Sequence, residues 1–167
     1  MELVIYVQKT NKTYKTHYGI PFQCVELIRR FFSTNPLLDV SFPSVIDTVD
    51  FFNNIHTLSS PSKVIKLETF SYPYSQHFSH YLKPGSILFW KQRNPNFPYG
   101  HVALIVESND KETVVVQQNH NPPIKKYVTK DLFAKMNCSN TKFAGIKTLP
   151  AKVSSTIQNV AYPVIRL

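Results

Sequence analysis

Two cysteines, Cys24 and Cys138, are all that this 167-residue chain contains, and no spacing pattern pairs them. A disulfide framework is therefore not expected to organise the fold. Also missing is any run of about 18 apolar residues, which excludes an ordinary transmembrane helix. The opening stretch MELVIYVQKTNKTYKTH has no basic start leading into an apolar run, so no secretory signal is read from it. These shortages point to a soluble protein made in a reducing compartment: the cytoplasm, or a virion or host cell that carries it elsewhere. Acidic residues are scarce too, 10 against 19 basic ones, for a net charge of +9. Such a balance favours anionic partners. The basic residues are nonetheless scattered, with RR at 29–30 and KK at 125–126 as the longest pairs. With neither an arginine-rich arm nor a zinc finger present, a solvated basic surface accounts for the charge, and no nucleic-acid partner is expected.

What the chain does have is core material. A hydrophobic content of 43% with 13% aromatic residues suits a single folded domain over 1–167. Residues 1–8 alternate loosely, as a short edge strand would. From Cys24 to Ser33, the apolar positions Val25, Leu27, Ile28, Phe31 and Phe32 follow helical spacing, with Pro21 before them and Pro36 after. A second helix is expected over Ser44–Asn53. The stretch 58–83, rich in Ser, Pro, Tyr and His, reads as a long connection with at most one short strand or turn, of the kind that shapes a substrate cleft. Strand-like runs then follow at 86–92, 100–108, 112–120, 124–129 and 143–149, with a helical segment near Lys130–Met136. The tail after 150 reads as a closing strand or a loose end. Helices first and an antiparallel sheet after them make an α+β domain. No internal repeat interrupts this order.

Cys24 stands where a loop becomes a helix, in GIPFQCVELIRRFF. Its two readings are an inert core residue and a nucleophile. A thiol attacks as its thiolate, so its pKa must fall or a base must take its proton. Unpaired N–H groups at a helix N-terminus favour the negative charge, and the same groups can stabilise an oxyanion. Of the six histidines, His101 alone opens a strongly predicted strand, in YGHVALIVES. His17, His56 and His120 default to loop or surface roles. His77 and His80, in HFSH, lack a cysteine or acidic partner nearby, so no metal or other cofactor is expected. Strand alternation in VVVQQNHN puts Gln117 and Asn119 on one face with Val115, and Val116 and Gln118 on the other. Either Gln117 or Asn119 can accept the Nδ1 proton of His101, as a neutral amide orienting the ring. Glu26 can pair with Arg29 or Arg30 along the helix. Arg29, just over one turn below Cys24, can reach the same cleft, whereas Arg30 is expected in solvent or in that local pair. Cys138 has no comparable context. Trp90 and Phe89 read as core, and Phe97 and Tyr99 as cleft-lining or loop-packing residues.

Four blocks, GIPFQCVELIRRFF, KPGSILFW, YGHVALIVES and VVVQQNHNP, occur in the order and spacing of CHAP domains, the cysteine- and histidine-dependent amidohydrolases and peptidases. QCVE followed by RR looks especially like the amidase domains of glutathionylspermidine synthetase and trypanothione synthetase. The motif core spans about 14–149. The resemblance implies a papain-like fold, N-terminal helices carrying the nucleophile on an antiparallel sheet, with Cys24 as nucleophile and His101 as general base and then acid. The family's third position, usually Glu in EQN, matches Gln117, and its Asn matches Asn119. An amide in that place can orient an imidazolium but adds no charge to stabilise it. Gln23 matches a position that supports the oxyanion or the cysteine loop. Arg29 would suit a substrate carboxylate. The implied substrate is a small peptide-like or polyamine conjugate of the glutathionylspermidine type, hydrolysed and not made, since no ATP-grasp portion accompanies the domain. Peptidoglycan peptide is the alternative, and a non-catalytic binding module a third reading.

Overall fold

The structure is a computed structural model that describes residues 5–6, 23–72, 78–91, 99–119, 122–132, 142–158 and 165–166. Helix α1 (Cys24–Thr34) forms where its apolar positions make one stripe: Leu27, Ile28, Phe31 and Phe32 are all buried. Gln23 precedes it in an extended conformation, its carbonyl accepting the first helical bond from the Leu27 N–H at 3.1 Å. The helix stops at Asn35, ahead of Pro36, which has no N–H to continue it. Helix α2 (Thr48–Asn54) starts later than the expected Ser44, for a local reason. The Asp47 carboxylate accepts the Asp50 N–H at 2.7 Å, and the Asp50 carboxylate accepts the Ile46 N–H at 2.8 Å. This reciprocal cap satisfies the first turn and sets the boundary.

Both helices pack on a six-stranded antiparallel sheet built from β4 (Glu68–Ser71), β5 (Ile87–Lys91), β6 (His101–Ser108), β7 (Glu112–Val116), β8 (Ile124–Val128) and β9 (Lys142–Thr148). The order across it is β4-β9-β5-β6-β7-β8. Alternation divides its side chains. Ile87, Phe89, Val102, Leu104, Val114 and Val116 join Leu27, Phe32 and Phe51 in one core. Leu88, Trp90, Ala103, Ile105 and Val115 join Tyr127, Leu132 and Phe143 in a second. Because both faces are covered, the central strands read as continuous apolar runs. The α+β architecture expected from the sequence is the observed one.

The stretch read as a long connection is built differently. It holds a hairpin, β2 (Thr57–Ser60) with β3 (Lys63–Lys66), followed by β4, the edge strand paired with β9. Leu58 faces Ile65 across the hairpin, and both are buried. One or two inward apolar residues per four-residue strand, flanked by Ser, Lys and Glu, leave almost no period to read. Strand β7 also ends at Val116, short of the expected 120, and the expected 130–136 helix begins as a 3-10 turn at Thr129–Asp131, with 133–136 outside the described residues. The tail carries a further helix, α3 (Ala151–Gln158), before β10 (Ile165–Arg166), which pairs in parallel with β1 (Ile5–Tyr6).

Candidate active site

Cys24 is the first residue of α1, and α1 lies against β6. The residue keeps some solvent contact, while its sulfur is packed closely enough that burial pushes the thiol pKa up. Backbone N–H groups of Val102, Val25 and Cys24 itself pull the other way. The Val102 N–H places the sulfur beside the residue that follows His101. The packing of α1 on β6 thus brings Cys24 to the backbone next to His101.

His101 enters β6 from a tightly held turn. Thr48, at the start of α2, donates its hydroxyl to the Tyr99 carbonyl at 2.8 Å and lies 3.2 Å from the Trp90 carbonyl. Its backbone N–H donates to the same Tyr99 carbonyl at 3.1 Å. Gly100 between them has φ +67°, and a Cβ there would collide with the Thr48 hydroxyl and the Trp90 carbonyl. Trp90 pairs with His101 across β5 and β6, its ring 5.6 Å from the imidazole. The indole is part of the core, as expected, and also walls one side of the imidazole.

Gln117 meets His101, its Oε1 lying 3.1 Å from Nε2 of the ring. The other end of the amide donates to the Pro122 carbonyl at 2.9 Å. Since a carbonyl only accepts, the amide nitrogen must face Pro122 and the amide oxygen must face His101. His101 therefore carries its proton on Nε2, which leaves the Nδ1 lone pair as the basic position of the neutral ring. This differs from the expected Nδ1 contact: the amide holds the opposite nitrogen.

Asn119 goes elsewhere. Its backbone is left-handed, φ +57°, so strand alternation does not extend to it. Its side chain donates to Gln23 Oε1 at 2.8 Å, tying the segment after β7 to the residue before Cys24. Gln118 makes the same link underneath. In the amide orientation that satisfies both ends, it donates to Glu26 Oε2 at 3.2 Å and to the Gln23 carbonyl at 3.1 Å. Its oxygen then accepts from Arg30 at 3.2 Å. Glu26 and Arg30 close the group through a 2.7 Å ion pair at i,i+4. Neither Gln118 nor Glu26 was singled out as a site residue, because partners from two distant segments give a buried amide or carboxylate its meaning. Thr48, Gly100 and Pro122 were missed for the same reason, although a glycine directly before a strand-opening histidine is itself a signal.

Arg29 donates to the Pro43 carbonyl at 3.0 Å and stacks over the Phe42 ring at 4.6 Å. Burial pulls its guanidinium below the ordinary value, and the Glu26 charge opposes that. Tyr99 is largely exposed near His101, and His80 is exposed in the 3-10 turn Phe78–Tyr81. His17, His77, Phe97, His120 and Cys138 lie outside the described residues. The β2–β3 hairpin, expected to border a cleft, lines with α3 an apolar hollow of about 300 Å³ that contains none of the predicted site residues. Among the described residues no group of three or more His, Cys, Asp or Glu side chains is arranged to hold a metal ion, and no helix is long and apolar enough to cross a membrane.

A family model described as CHAP domain matches residues 13–119, well over half of the chain. Among curated proteins, none matches the sequence. A solved structure titled "The crystal structure of Ly7917" is similar at TM-score 0.44 and 12% identity. The match covers 78% of this chain and 54% of that one, so the chain spans about half of that protein's length.

Proposed function

Since the chain belongs to the CHAP domain family, we propose that it is a cysteine-dependent amidohydrolase or peptidase working through a thioester acyl-enzyme. The observation that carries this reading is that the Cys24 sulfur meets the backbone N–H of Val102, the neighbour in β6 of His101, whose Nε2 is held by Gln117. His101 Nδ1 takes the thiol proton as the Cys24 sulfur attacks the amide carbonyl. The tetrahedral oxyanion is met by backbone N–H groups at the start of α1, with Gln23 supporting that loop. The C–N bond then breaks, His101 returns its proton to the departing amine, and Cys24 retains the acyl group as a thioester. Water, deprotonated by His101, releases the acid and restores the thiol.

Glutathionylspermidine-type amides are the substrate class this reading favours, on the similarity carried by QCVELIRR. Arg29 is the residue assigned to a substrate carboxylate: Arg30 is committed to Glu26, whereas Arg29 sits on the neighbouring face of α1 over Phe42. Cell-wall peptide is the second substrate class, favoured by the net charge of +9 against an anionic polymer.

Purified protein incubated with glutathionylspermidine and, separately, with isolated cell walls tests both. Release of the amine from one of them is expected, with Cys24→Ala reducing turnover by about 10³-fold or more. Turnover that survives Cys24→Ala unchanged overturns the assignment, and silence of the wild type on both substrates favours a binding module.

A further inference from the structure

The amide of Gln117 is clamped at both ends, and the two clamps ask for opposite things. His101 needs an acceptor, which Oε1 supplies at 3.1 Å. The Pro122 carbonyl needs a donor, which Nε2 supplies at 2.9 Å. The backbone holds this seat rigidly, because the Gln117 N–H donates to the Pro123 carbonyl at 2.9 Å, one residue beyond the acceptor of its own side chain. Gln117 is 4% exposed, so water has little room to replace either partner. A glutamate has the same length and the same planar head. When ionised, however, both its oxygens accept only, and one of them would face the lone pairs of the Pro122 oxygen.

We infer that the Pro122 carbonyl makes position 117 a seat for an amide and not for a carboxylate. Pro122 is thereby a positioning residue that holds His101 in its Nε2–H tautomer through Gln117. The inference rests on the hydrolase reading only for its catalytic consequence; the tautomer stands on geometry alone. The Arg30 guanidinium on α1 is engaged by Glu26 at 2.7 Å and by the Gln118 oxygen at 3.2 Å. Elementary electrostatics makes the opposite forecast: an unhindered carboxylate beside His101 would stabilise the imidazolium, lower the effective Cys24 pKa and speed its reaction.

The pH dependence of Cys24 alkylation by iodoacetamide separates the two without any substrate, followed by mass spectrometry from about pH 6 to pH 9. Q117E is expected to slow Cys24 alkylation near neutrality by about 10-fold and to move its midpoint upward. Alkylation that is unchanged or faster, with a midpoint unmoved or lowered, overturns the inference. Should Q117E not fold, imidazole ¹⁵N shifts in the Cys24→Ala protein decide it, with the Nε2–H tautomer expected and an Nδ1–H tautomer overturning it. If wild-type Cys24 reacts no faster than Cys138, the hydrolase reading fails while the tautomer measurement still tests the seat.

Discussion

Glu26 on α1 and Lys147 on β9 are both withdrawn from solvent, at 5% and 0% exposure. Glu26 is met by a guanidinium at 2.7 Å and by the amide of Gln118. Lys147 is met by one hydroxyl, Thr69 Oγ1 at 2.9 Å, and by the face of Phe52 at 5.4 Å. Desolvation lowers the Lys147 pKa to about 8, and no carboxylate among the described residues offsets it. The contrast separates two uses of a buried charge. One sits in a network that joins α1, just below Cys24, to the segment that meets His101. The other sits in the sheet beneath α2, where it joins nothing to the site and works against the fold. A buried charge helps to build a site when its partners come from the segments that must be held together.

Breaking the network should produce the larger effect. Glu26→Ala takes the 2.7 Å acceptor from the Arg30 guanidinium and one acceptor from the Gln118 amide, and we expect a loss of about 3 kcal/mol, measured by urea unfolding. Pairing Glu26→Leu with Arg30→Met should recover much of that loss, since no unpaired charge then remains. A cost below about 1 kcal/mol for Glu26→Ala would erase the comparison. Next in size is Gln118→Leu, expected to cost about 2 kcal/mol and to slow Cys24 alkylation, because the 117–119 segment loses its hold on α1.

Lys147→Met is the smallest and has the opposite sign. The unfolded chain accepts the proton more readily than the fold does, so Lys147 costs nothing above its ordinary value of 10.5. The cost grows as pH falls towards about 8 and stands in full below it. The variant should therefore be more stable than the wild type at neutral pH, by on the order of 1 kcal/mol after allowance for solvent screening. That advantage should shrink as pH rises past about 8. A constant difference across that range would show that Lys147 is not the titrating group.

The helix at Cys24, the strand at His101 and the α+β order were legible in the sequence. Each is a local pattern: an apolar stripe of period 3.6, or a β-branched run bounded by turn residues. The hairpin at 57–66 was not, because strands with one or two inward residues carry too little period, and their partners lie across the turn and in the bridge from Ser41 to Ser59. The order of the four blocks was enough to identify the family, and the chemistry of a cysteine and a histidine was enough to nominate Cys24 and His101. What the sequence left open was which amide orients the ring: Gln117 and Asn119 stand two apart, and alternation assigns both to one face.

Only the tertiary structure shows which of the two amides meets His101. Asn119 takes a left-handed backbone and turns to Gln23, while the Pro122 carbonyl turns the Gln117 oxygen towards His101 Nε2. The physical reason is that hydrogen-bond direction belongs to a pair. A one-dimensional chain specifies each donor and acceptor, but which of them meet is set by how α1, β6 and the segment after β7 pack together.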